Sequence, residues 1–238
     1  RMNLDGSRCV VTGGSTGIGL STAKRLAEAG GRVAICARTV ETLDAAAAEL
    51  RETGAEILSL RVDVAHEQEV ESFVQAVNDA WGGADLLVNN AGIGIFGNVL
   101  DLDVADYDQV FAVNVRGLFM CSRAFATGMI EQGGGVIVNV ASLAGKNAFA
   151  GGAIYSASKH AVMGMSKAMM LDLRPHGIRV LTVCPGTVYT PFFDRVDQFN
   201  PVEERSLQAD DVAEMIVNVV RLSDRATVSE FEIRAVNP

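Results

Sequence analysis

The chain has 238 residues, of which 49% are hydrophobic and 21% are charged, and its formal net charge is −9. This balance is typical of a globular protein with a substantial core and excludes long disordered regions. The negative charge argues against nucleic acid or an acidic membrane surface as a partner. Since no linker rich in Pro, Gly or Ser divides the sequence, we expect one domain over residues 1–238.

Cysteine usage and hydropathy narrow the class of protein further. The four cysteines form no C-x-x-C pair and no Cys/His cluster at metal-ligand spacing; they are Cys9, Cys36, Cys121 and Cys184. We therefore expect buried, reduced thiols and no metal site. The sequence shows neither a signal segment nor an apolar run of about 18 residues, which predicts a cytoplasmic protein without a membrane span.

Short runs rich in β-branched residues alternate along the chain with longer helical patterns. The predicted strands are residues 8–12, 32–37, 57–62, 85–89, 135–140, 178–183 and 228–234. The predicted helices are residues 17–29, 40–53, 66–81, 104–130, 154–173 and 210–222. This alternation predicts an α/β fold: a doubly wound, Rossmann-like parallel sheet of about seven strands with helices on both faces.

The first strand leads into the first helix through a glycine-rich loop, Thr12-Gly13-Gly14-Ser15-Thr16-Gly17-Ile18-Gly19. Glycines at this point let the backbone approach a pyrophosphate, whose charge the helix N-terminus favours. Glycines also serve tight turns, but their place between strand and helix favours nucleotide binding.

The second strand ends at Cys36-Ala37-Arg38-Thr39. A carboxylate here usually binds the ribose hydroxyls of NAD, whereas a basic residue accommodates a 2′-phosphate. Arg38 is permanently charged and suited to phosphate, which predicts NADP(H) over NAD(H). The alternative is a solvated surface arginine.

Polar residues follow the third and fourth predicted strands, as Asp63-Val64 and Asn89-Asn90-Ala91-Gly92. Ligands of open parallel sheets bind at the carboxyl ends of strands, so both segments are candidates for cofactor contact. Asp63 could instead cap the following helix, and the second segment could be turn chemistry alone.

Tyr155 and Lys159 are four residues apart in a predicted helix, and Ser142 precedes them in the sequence. Residues at i and i+4 share a helix face, so the Lys159 ammonium can lie beside the phenol. A cation about 4 Å away supplies roughly the 4 kcal/mol needed to lower a tyrosine pKa from about 10 to about 7. The spacing therefore predicts a phenol that exchanges a proton with a substrate oxygen at neutral pH.

Taken together, these motifs resemble the short-chain dehydrogenase/reductase family over essentially the whole chain. The shared pattern is the loop with Gly13, Gly17 and Gly19, then Asp63, Asn89-Asn90-Ala91-Gly92, Asn114 in Asn114-Val115-Arg116-Gly117, Ser142, Tyr155 with Lys159, and Pro185-Gly186 with Thr190. One departure is the C-terminal Ser229-Glu230-Phe231-Glu232-Ile233-Arg234, which lacks the glycine-rich tail of many fatty-acid-type ketoacyl reductases.

The resemblance implies a catalytic set of four residues. Tyr155 would be the general acid in reduction and the base in oxidation, and Ser142 would hydrogen-bond the substrate oxygen. Lys159 would bind the nicotinamide ribose and lower the Tyr155 pKa. Asn114 would hold a water that links Lys159 to solvent.

The resemblance also implies a cofactor site, in which Asn90 lies beside the adenosine ribose and Thr190 contacts the nicotinamide carboxamide. The predicted cofactor-binding residues are Gly13, Ser15, Thr16, Gly17, Ile18, Gly19, Arg38, Asp63, Val64, Asn90, Ala91, Gly92, Tyr155, Lys159, Pro185, Gly186, Val188 and Thr190.

Residues 187–209 lack strong periodicity and are predicted to be a substrate-binding loop or lid. The predicted substrate-binding residues are Ser142, Leu143, Phe149, Tyr155, Phe192 and Phe193. The expected cleft is open and apolar, with Ile93, Ile95 and Phe96 nearby and with Lys146 and Arg195 as its cations. Such a wall favours a neutral or weakly polar ketone.

The predicted function is hydride transfer between NADP(H) and a ketone/secondary alcohol pair. A 3-oxoacyl-carrier-protein reductase is the alternative within enzymes, and a non-catalytic NADP(H)-sensing regulatory protein is the alternative of another class. Residues 104–130 and 154–173 carry apolar side chains around much of their circumference. Family members commonly pair these helices, so we expect a homo-oligomer, a tetramer or a dimer.

Overall fold

The computed structural model describes residues 2–194, 201–223 and 225–236. The predicted cleft residue Arg195 and part of the predicted lid lie outside these described residues.

A parallel sheet forms the centre of the fold, with two short strands beside it. Its strands are β1 (Arg8–Thr12), β2 (Arg32–Ala37), β3 (Ile57–Arg61), β4 (Leu86–Asn89), β5 (Gly135–Val140), β6 (Ile178–Pro185) and β9 (Glu230–Ile233), and the short pair is β7 (Val188–Tyr189) with β8 (Leu207–Gln208). The α-helices in the described residues are α1 (Gly17–Glu28), α2 (Val40–Arg51), α3 (Glu67–Trp81), α4 (Val104–Phe111), α5 (Leu118–Glu131), α6 (Ala153–Leu173) and α7 (Ala209–Val220).

The order of the seven strands is β3-β2-β1-β4-β5-β6-β9, and every neighbouring pair is parallel. The predicted doubly wound α/β sheet is therefore confirmed. The chain runs outward from β1 to β3 and then crosses to β4 on the other side of β1. A crevice opens at such a switch point, outside the carboxyl ends of β1 and β4, and ligands of this fold class bind there.

Both faces of the sheet are buried, which explains the nearly continuous apolar strands. Neighbouring residues Val10 and Val11 on β1 are both fully buried but belong to two different core clusters. Val11 packs in the cluster that includes Ile216 of α7, and Val10 packs in the cluster that includes Phe73 of α3 and Phe125 of α5. Successive strand residues point to opposite faces, so each needs an apolar partner layer.

Two predicted elements differ from the structure. The expected helix over residues 104–130 is divided by a π-helical segment, Ala112–Gly117, between α4 and α5. The expected irregular loop contains the β7–β8 pair, in which Val188 is aligned with Leu207. Strands of two residues and a short π-helical segment are too short to show a hydropathy period in the sequence. Contacts with residues far away in the chain determine where they form.

Among the described residues, each helix is too short or too polar to cross a lipid bilayer.

Candidate active site

A cavity of about 910 Å³ lies at the carboxyl edge of the sheet, near the upper end of the size range of ligand sites. It brings together nearly all the predicted site residues: Gly13, Ser15, Thr16, Gly17, Ile18, Arg38, Asp63, Val64, Asn90, Ala91, Gly92, Ser142, Leu143, Phe149, Tyr155, Lys159, Pro185, Gly186, Val188, Thr190, Phe192 and Phe193. Gly19 and Asn114 are not part of its wall.

The glycine loop is packed too tightly for side chains. Gly13 has φ +63°, and a Cβ there would lie 2.9 Å from Ala91 Cα. A Cβ on Gly19 would lie 2.1 Å from Gly13 O, so this glycine lets α1 start directly against the loop. Thr16 is the N-cap of α1, and its side chain makes no capping hydrogen bond. The first-turn N–H groups of α1 are therefore available to an anion in the cavity.

Asn90 holds the glycine loop against the end of β4. Its Nδ2 donates to Thr12 O at 3.1 Å and to Gly13 O at 3.0 Å. Thr12 Oγ1 accepts from the backbone N–H groups of Asn90 and Ala91, both at 3.1 Å. The segment thus has the turn role that the sequence left open and also lines the cavity, while contact with a ribose stays a prediction.

Asn89, by contrast, is buried in the sheet. Its Nδ2 donates to Ser122 Oγ at 2.8 Å and to Asn139 Oδ1 at 2.9 Å. These bonds tie β4 to α5 and β5 and so fix the floor of the crevice.

Arg38 is exposed and lines the cavity at the end of β2. Within the part of the chain that the structure describes, no hydrogen bond or ion pair engages its guanidinium. Ser15 lies close by on the glycine loop, where its Oγ is 3.4 Å from Thr42 Oγ1 of α2. A guanidinium that forms no ion pair with the described residues, next to hydroxyl groups, suits a phosphate.

Asp63 forms a turn rather than a helix cap. Its Oδ1 accepts from Ala65 N at 3.0 Å, and its own N–H donates to Glu69 Oε2 at 2.8 Å. The N-cap of α3 is His66, which makes no side-chain cap bond. Asp63 lies two residues beyond the end of β3, and it lines the cavity.

Asn114, in the π-helical segment, is a buried connector between the β4 loop and α6. Its Oδ1 accepts from Ile93 N at 2.8 Å, and its Nδ2 donates to Ile93 O at 2.9 Å and Ser158 Oγ at 3.0 Å. A Cβ on Gly92 would lie 3.4 Å from Asn114 Oδ1 and 3.6 Å from Lys159 Nζ. Asn114 and Lys159 are thus close neighbours across Gly92, and the water-holding role that the resemblance implies stays a prediction.

The predicted lowering of the Tyr155 pKa is wrong for the protein alone. Lys159 Nζ is 5.7 Å from the centroid of the Tyr155 ring and donates to Val140 O at 3.0 Å. Burial raises the pKa of Tyr155 to about 12, although a hydrogen bond with Ser142 opposes the shift. Burial also lowers the pKa of Lys159 to about 8. Desolvation of the phenolate outweighs the hydrogen bond with Ser142, so the raised pKa keeps Tyr155 protonated at neutral pH.

The loop that carries Ser142 is anchored on two sides. Ser142 caps a 3₁₀ turn (Leu143–Gly145), with its Oγ accepting from Ala144 N at 3.1 Å. Lys146 then forms ion pairs with Glu230 and Glu232 of β9, the second at 2.7 Å. The Ser142 hydroxyl is therefore held on a turn fixed to the last strand.

Aromatic rings surround Tyr155 on the substrate side of the cavity. The ring centroid of Phe96 is 5.2 Å from that of Tyr155, and that of Phe192 is 5.9 Å away. Phe149 lies 6.1 Å from Phe96, and Phe193 lies 5.1 Å from Phe192. Four aromatic residues expected at the cleft line the cavity, namely Phe96, Phe149, Phe192 and Phe193, whereas the expected Ile95 is absent from its lining.

The charge on this wall differs from the expectation. Lys146, expected as a cation of the cleft, points its ammonium at Glu230 and Glu232 and does not line the cavity. Arg234, which sequence reasoning did not select, does line it. Its position directly after the last strand of a parallel sheet was an available signal, since ligand sites lie at that edge.

The four thiols are buried and free, as expected. In the ranges that the structure describes, no three His, Cys, Asp or Glu residues are placed to hold a metal ion.

Known proteins are similar to this chain in sequence and in fold. A putative ketoacyl reductase of Streptomyces coelicolor is 39% identical over 237 residues, covering 91% of this chain and 90% of the relative. The actinorhodin polyketide ketoreductase, solved with NADPH, superimposes with a TM-score of 0.90 at 35% identity over 99% of this chain and 98% of its own. An alcohol dehydrogenase from the archaeon Thermococcus sibiricus, complexed with 5-hydroxy-NADP, gives a TM-score of 0.91 at 28% identity and 98% coverage of both chains.

The family model described as short chain dehydrogenase matches residues 7–201, which include the glycine loop, Ser142, Tyr155 and Lys159. The chain therefore belongs to the short-chain dehydrogenase/reductase family of oxidoreductases.

Proposed function

We propose that this protein transfers a hydride between NADP(H) and a ketone/secondary alcohol pair, with Tyr155 as the proton donor in reduction. The observation that carries the proposal is a cavity that holds the Ser142, Tyr155 and Lys159 groups together with a glycine loop and with Arg38, which has no ion pair among the described residues. Proton-transfer groups and an anion-binding loop in one cleft are what such a reaction requires.

The residues at the glycine loop fit a dinucleotide. A Cβ on Gly13 or Gly19 would collide with Ala91 or with the loop backbone, so only glycine lets the loop fold this closely against the start of α1. The N-terminus of α1 would bind the diphosphate, and Arg38 would bind the 2′-phosphate. When bound, NADPH supplies the hydride. The two relatives solved with NADPH and with an NADP derivative support this choice of cofactor.

The acid–base roles follow from the protonation states. With its pKa raised to about 12, Tyr155 holds its proton at neutral pH and donates it to the substrate oxygen in reduction. Lys159, with a pKa of about 8, is mostly charged at pH 7 and stabilises the phenolate that this transfer leaves. The Ser142 hydroxyl orients the same oxygen.

The substrate wall supports a neutral ketone with an apolar substituent. The rings of Phe96 and Phe192 lie next to the Tyr155 ring, and Phe149 lies against Phe96. We also propose that the predicted loop over residues 187–209 acts as part of this wall, because its Phe192 and Phe193 line the cavity. Oxidation of NADPH, followed by absorbance over a panel of aryl and alkyl ketones, tests the proposal. No turnover of any neutral ketone would contradict it.

A 3-oxoacyl thioester reductase is a second candidate, favoured by the 39% identity to the putative ketoacyl reductase. A thioester assayed beside a simple diketone distinguishes the two. A purely regulatory NADP(H) sensor is disfavoured because Ser142, Tyr155 and Lys159 are all at the cavity. Tight NADPH binding without turnover of any carbonyl would support that alternative.

We further propose a homo-oligomer, a tetramer or a dimer, assembled through α4, α5 and α6. These helices expose large apolar side chains, of which Tyr107 is 45% exposed, Phe119 44% and Leu171 55%. Apolar residues on neighbouring helix faces are typical of an interface.

A further inference from the structure

We propose that Gly94 is a positioning residue that determines which ketones the site accepts. Because it has no side chain, the Phe96 ring can lie back against the loop and leave room beside the reacting carbonyl for a branched or aryl substituent. Ketones with such a bulky, apolar substituent are therefore the expected substrates. The inference rests on the proposed function and deepens it, since Gly94 acts on the substrate through the Phe96 ring.

Position 94 has no space for a side chain. A Cβ on Gly94 would lie 2.4 Å from Phe96 Cε2, 2.5 Å from Phe96 Cζ and 2.8 Å from Phe192 Cζ. Carbon atoms that are not bonded to each other pack at about 3.5–4.0 Å, so each of these distances is a collision. Gly94 is not one of the glycines with a positive φ, so its backbone would accept another residue. The two aromatic rings are therefore what requires a glycine here.

Hydrogen bonds hold the backbone on both sides of Gly94. Ile93 N donates to Asn114 Oδ1 at 2.8 Å, and Ile93 O accepts from Asn114 Nδ2 at 2.9 Å. On the other side, Gly97 N donates to Gly151 O at 2.9 Å. A movement of the loop away from the rings would break these bonds and leave polar groups unpaired. A methyl group at position 94 would therefore displace the rings rather than the loop.

A displaced Phe96 ring has room on the side of the cavity. Its centroid is 5.2 Å from that of Tyr155, 6.1 Å from that of Phe149 and 6.4 Å from that of Phe192. These distances are typical of rings in contact, so the ring cannot move closer to these neighbours. Phe96 also lines the cavity, whereas Gly94 does not. A side chain at position 94 would therefore push the Phe96 ring into the space that a substrate needs.

The space that Gly94 preserves lies beside the reacting carbonyl, because the Phe96 ring packs against the Tyr155 ring. Phe96 and Phe192 are apolar, so a hydrocarbon substituent suits this part of the cavity. An intruding ring would exclude a phenyl or branched group first and would hardly affect a methyl or ethyl group. Position 94 therefore selects substrates by the size of the substituent, not by its charge.

The test measures NADPH oxidation with two methyl ketones, 2-butanone and acetophenone. We expect Gly94→Ala to lower kcat/KM for acetophenone by about 10-fold, roughly the discrimination that one methylene group provides. The value for 2-butanone should change by less than about twofold, and the KM for NADPH should not change. Gly97→Ala is the matched control in the same loop, because its Cβ would lie 3.2 Å from Leu102 Cδ2 and would meet no ring within 4 Å. It should leave the ratio of the two kcat/KM values unchanged.

Two substitutions of Phe96 test whether Gly94 acts through this ring. In a Phe96→Ala background the displaced ring is gone, so adding Gly94→Ala should change the ratio of the two kcat/KM values by less than about threefold. Phe96→Trp enlarges the ring while Gly94 is kept, and it should lower kcat/KM for acetophenone selectively. This second variant gives the answer even if Gly94→Ala folds poorly.

Equal losses on the two ketones in Gly94→Ala, or an unchanged ratio in Phe96→Trp, would overturn the inference. An effect of Gly94→Ala that persists in full without the Phe96 ring would also overturn it. If the unmodified enzyme reduces 2-butanone but not acetophenone, the inference fails and the proposed function stands. If it reduces no neutral ketone at all, the proposed function fails as well.

Discussion

Arg38→Ala tests the choice of cofactor, because the arginine is the cation placed for a 2′-phosphate. The side chain is exposed and lines the cavity at the end of β2, and the structure shows no partner for it among the described residues. Its removal should therefore leave the fold and the glycine loop unchanged. Only the contact with the extra phosphate of NADPH should be lost.

The size of the effect follows from this exposure. Two unit charges 4 Å apart attract by about 1 kcal/mol in water and by about 4 kcal/mol in a partly shielded site. An exposed guanidinium lies near the first limit, and a phosphate monoester carries a charge of about −1.5 to −2 at pH 7. The expected loss is about 1.5–2 kcal/mol, or roughly 10- to 30-fold in kcat/KM for NADPH. NADH should be unaffected.

The assay measures kcat/KM for both cofactors at one saturating ketone, at low and high salt, with Arg51→Ala as an exposed control on α2. High ionic strength should reduce the preference for NADPH, since an exposed charge pair is screened. The reasoning is refuted if the unmodified enzyme uses NADH as well as NADPH. It is also refuted if Arg38→Ala loses both cofactors equally.

Other outcomes follow from the geometry around the catalytic residues. Tyr155→Phe should lower kcat by at least about 100-fold while NADPH still binds in a fluorescence titration; normal turnover would mean another proton donor. Gly19→Ala should destabilise the fold by about 2 kcal/mol in urea unfolding, because its Cβ would lie 2.1 Å from Gly13 O, whereas Gly128→Ala, with no atom within 4 Å, should stabilise by up to about 1 kcal/mol. Equal effects of the two would contradict this. Burial lowers the pKa of Lys159 to about 8 from its ordinary 10.5. Between pH 8 and pH 10.5 the unfolded chain therefore binds more protons than the folded protein, and the free energy of unfolding rises with pH. At pH 7, Lys159→Met should therefore be more stable than the unmodified protein by up to about 3 kcal/mol, and the difference should vanish towards pH 10.5. A stability difference that does not change with pH would contradict the lowered pKa of Lys159. Light scattering should give a multiple of 25.2 kDa, and a monomer at micromolar concentration would refute the oligomer.

The sequence by itself determined the architecture and most of the site. Its apolar strands alternate with helical patterns, which specify a parallel sheet covered on both faces. The site residues could be predicted because they follow strand ends, as Arg38 follows β2, and because Tyr155 and Lys159 share one helix face. Both relations hold between residues close together in the chain, so they can be recognised from the sequence alone.

Only the tertiary structure decided the electrostatics and the contacts between distant segments. The pKa of Tyr155 is raised rather than lowered because the phenol is buried, and the rings packed beside it, Phe96 and Phe192, come from other parts of the chain. The π-helical segment at Asn114 and the placement of Arg234 likewise depend on partners far away in sequence. Helical and strand periodicity reports which face of an element is buried, whereas desolvation and ion pairing depend on which distant atoms meet that face.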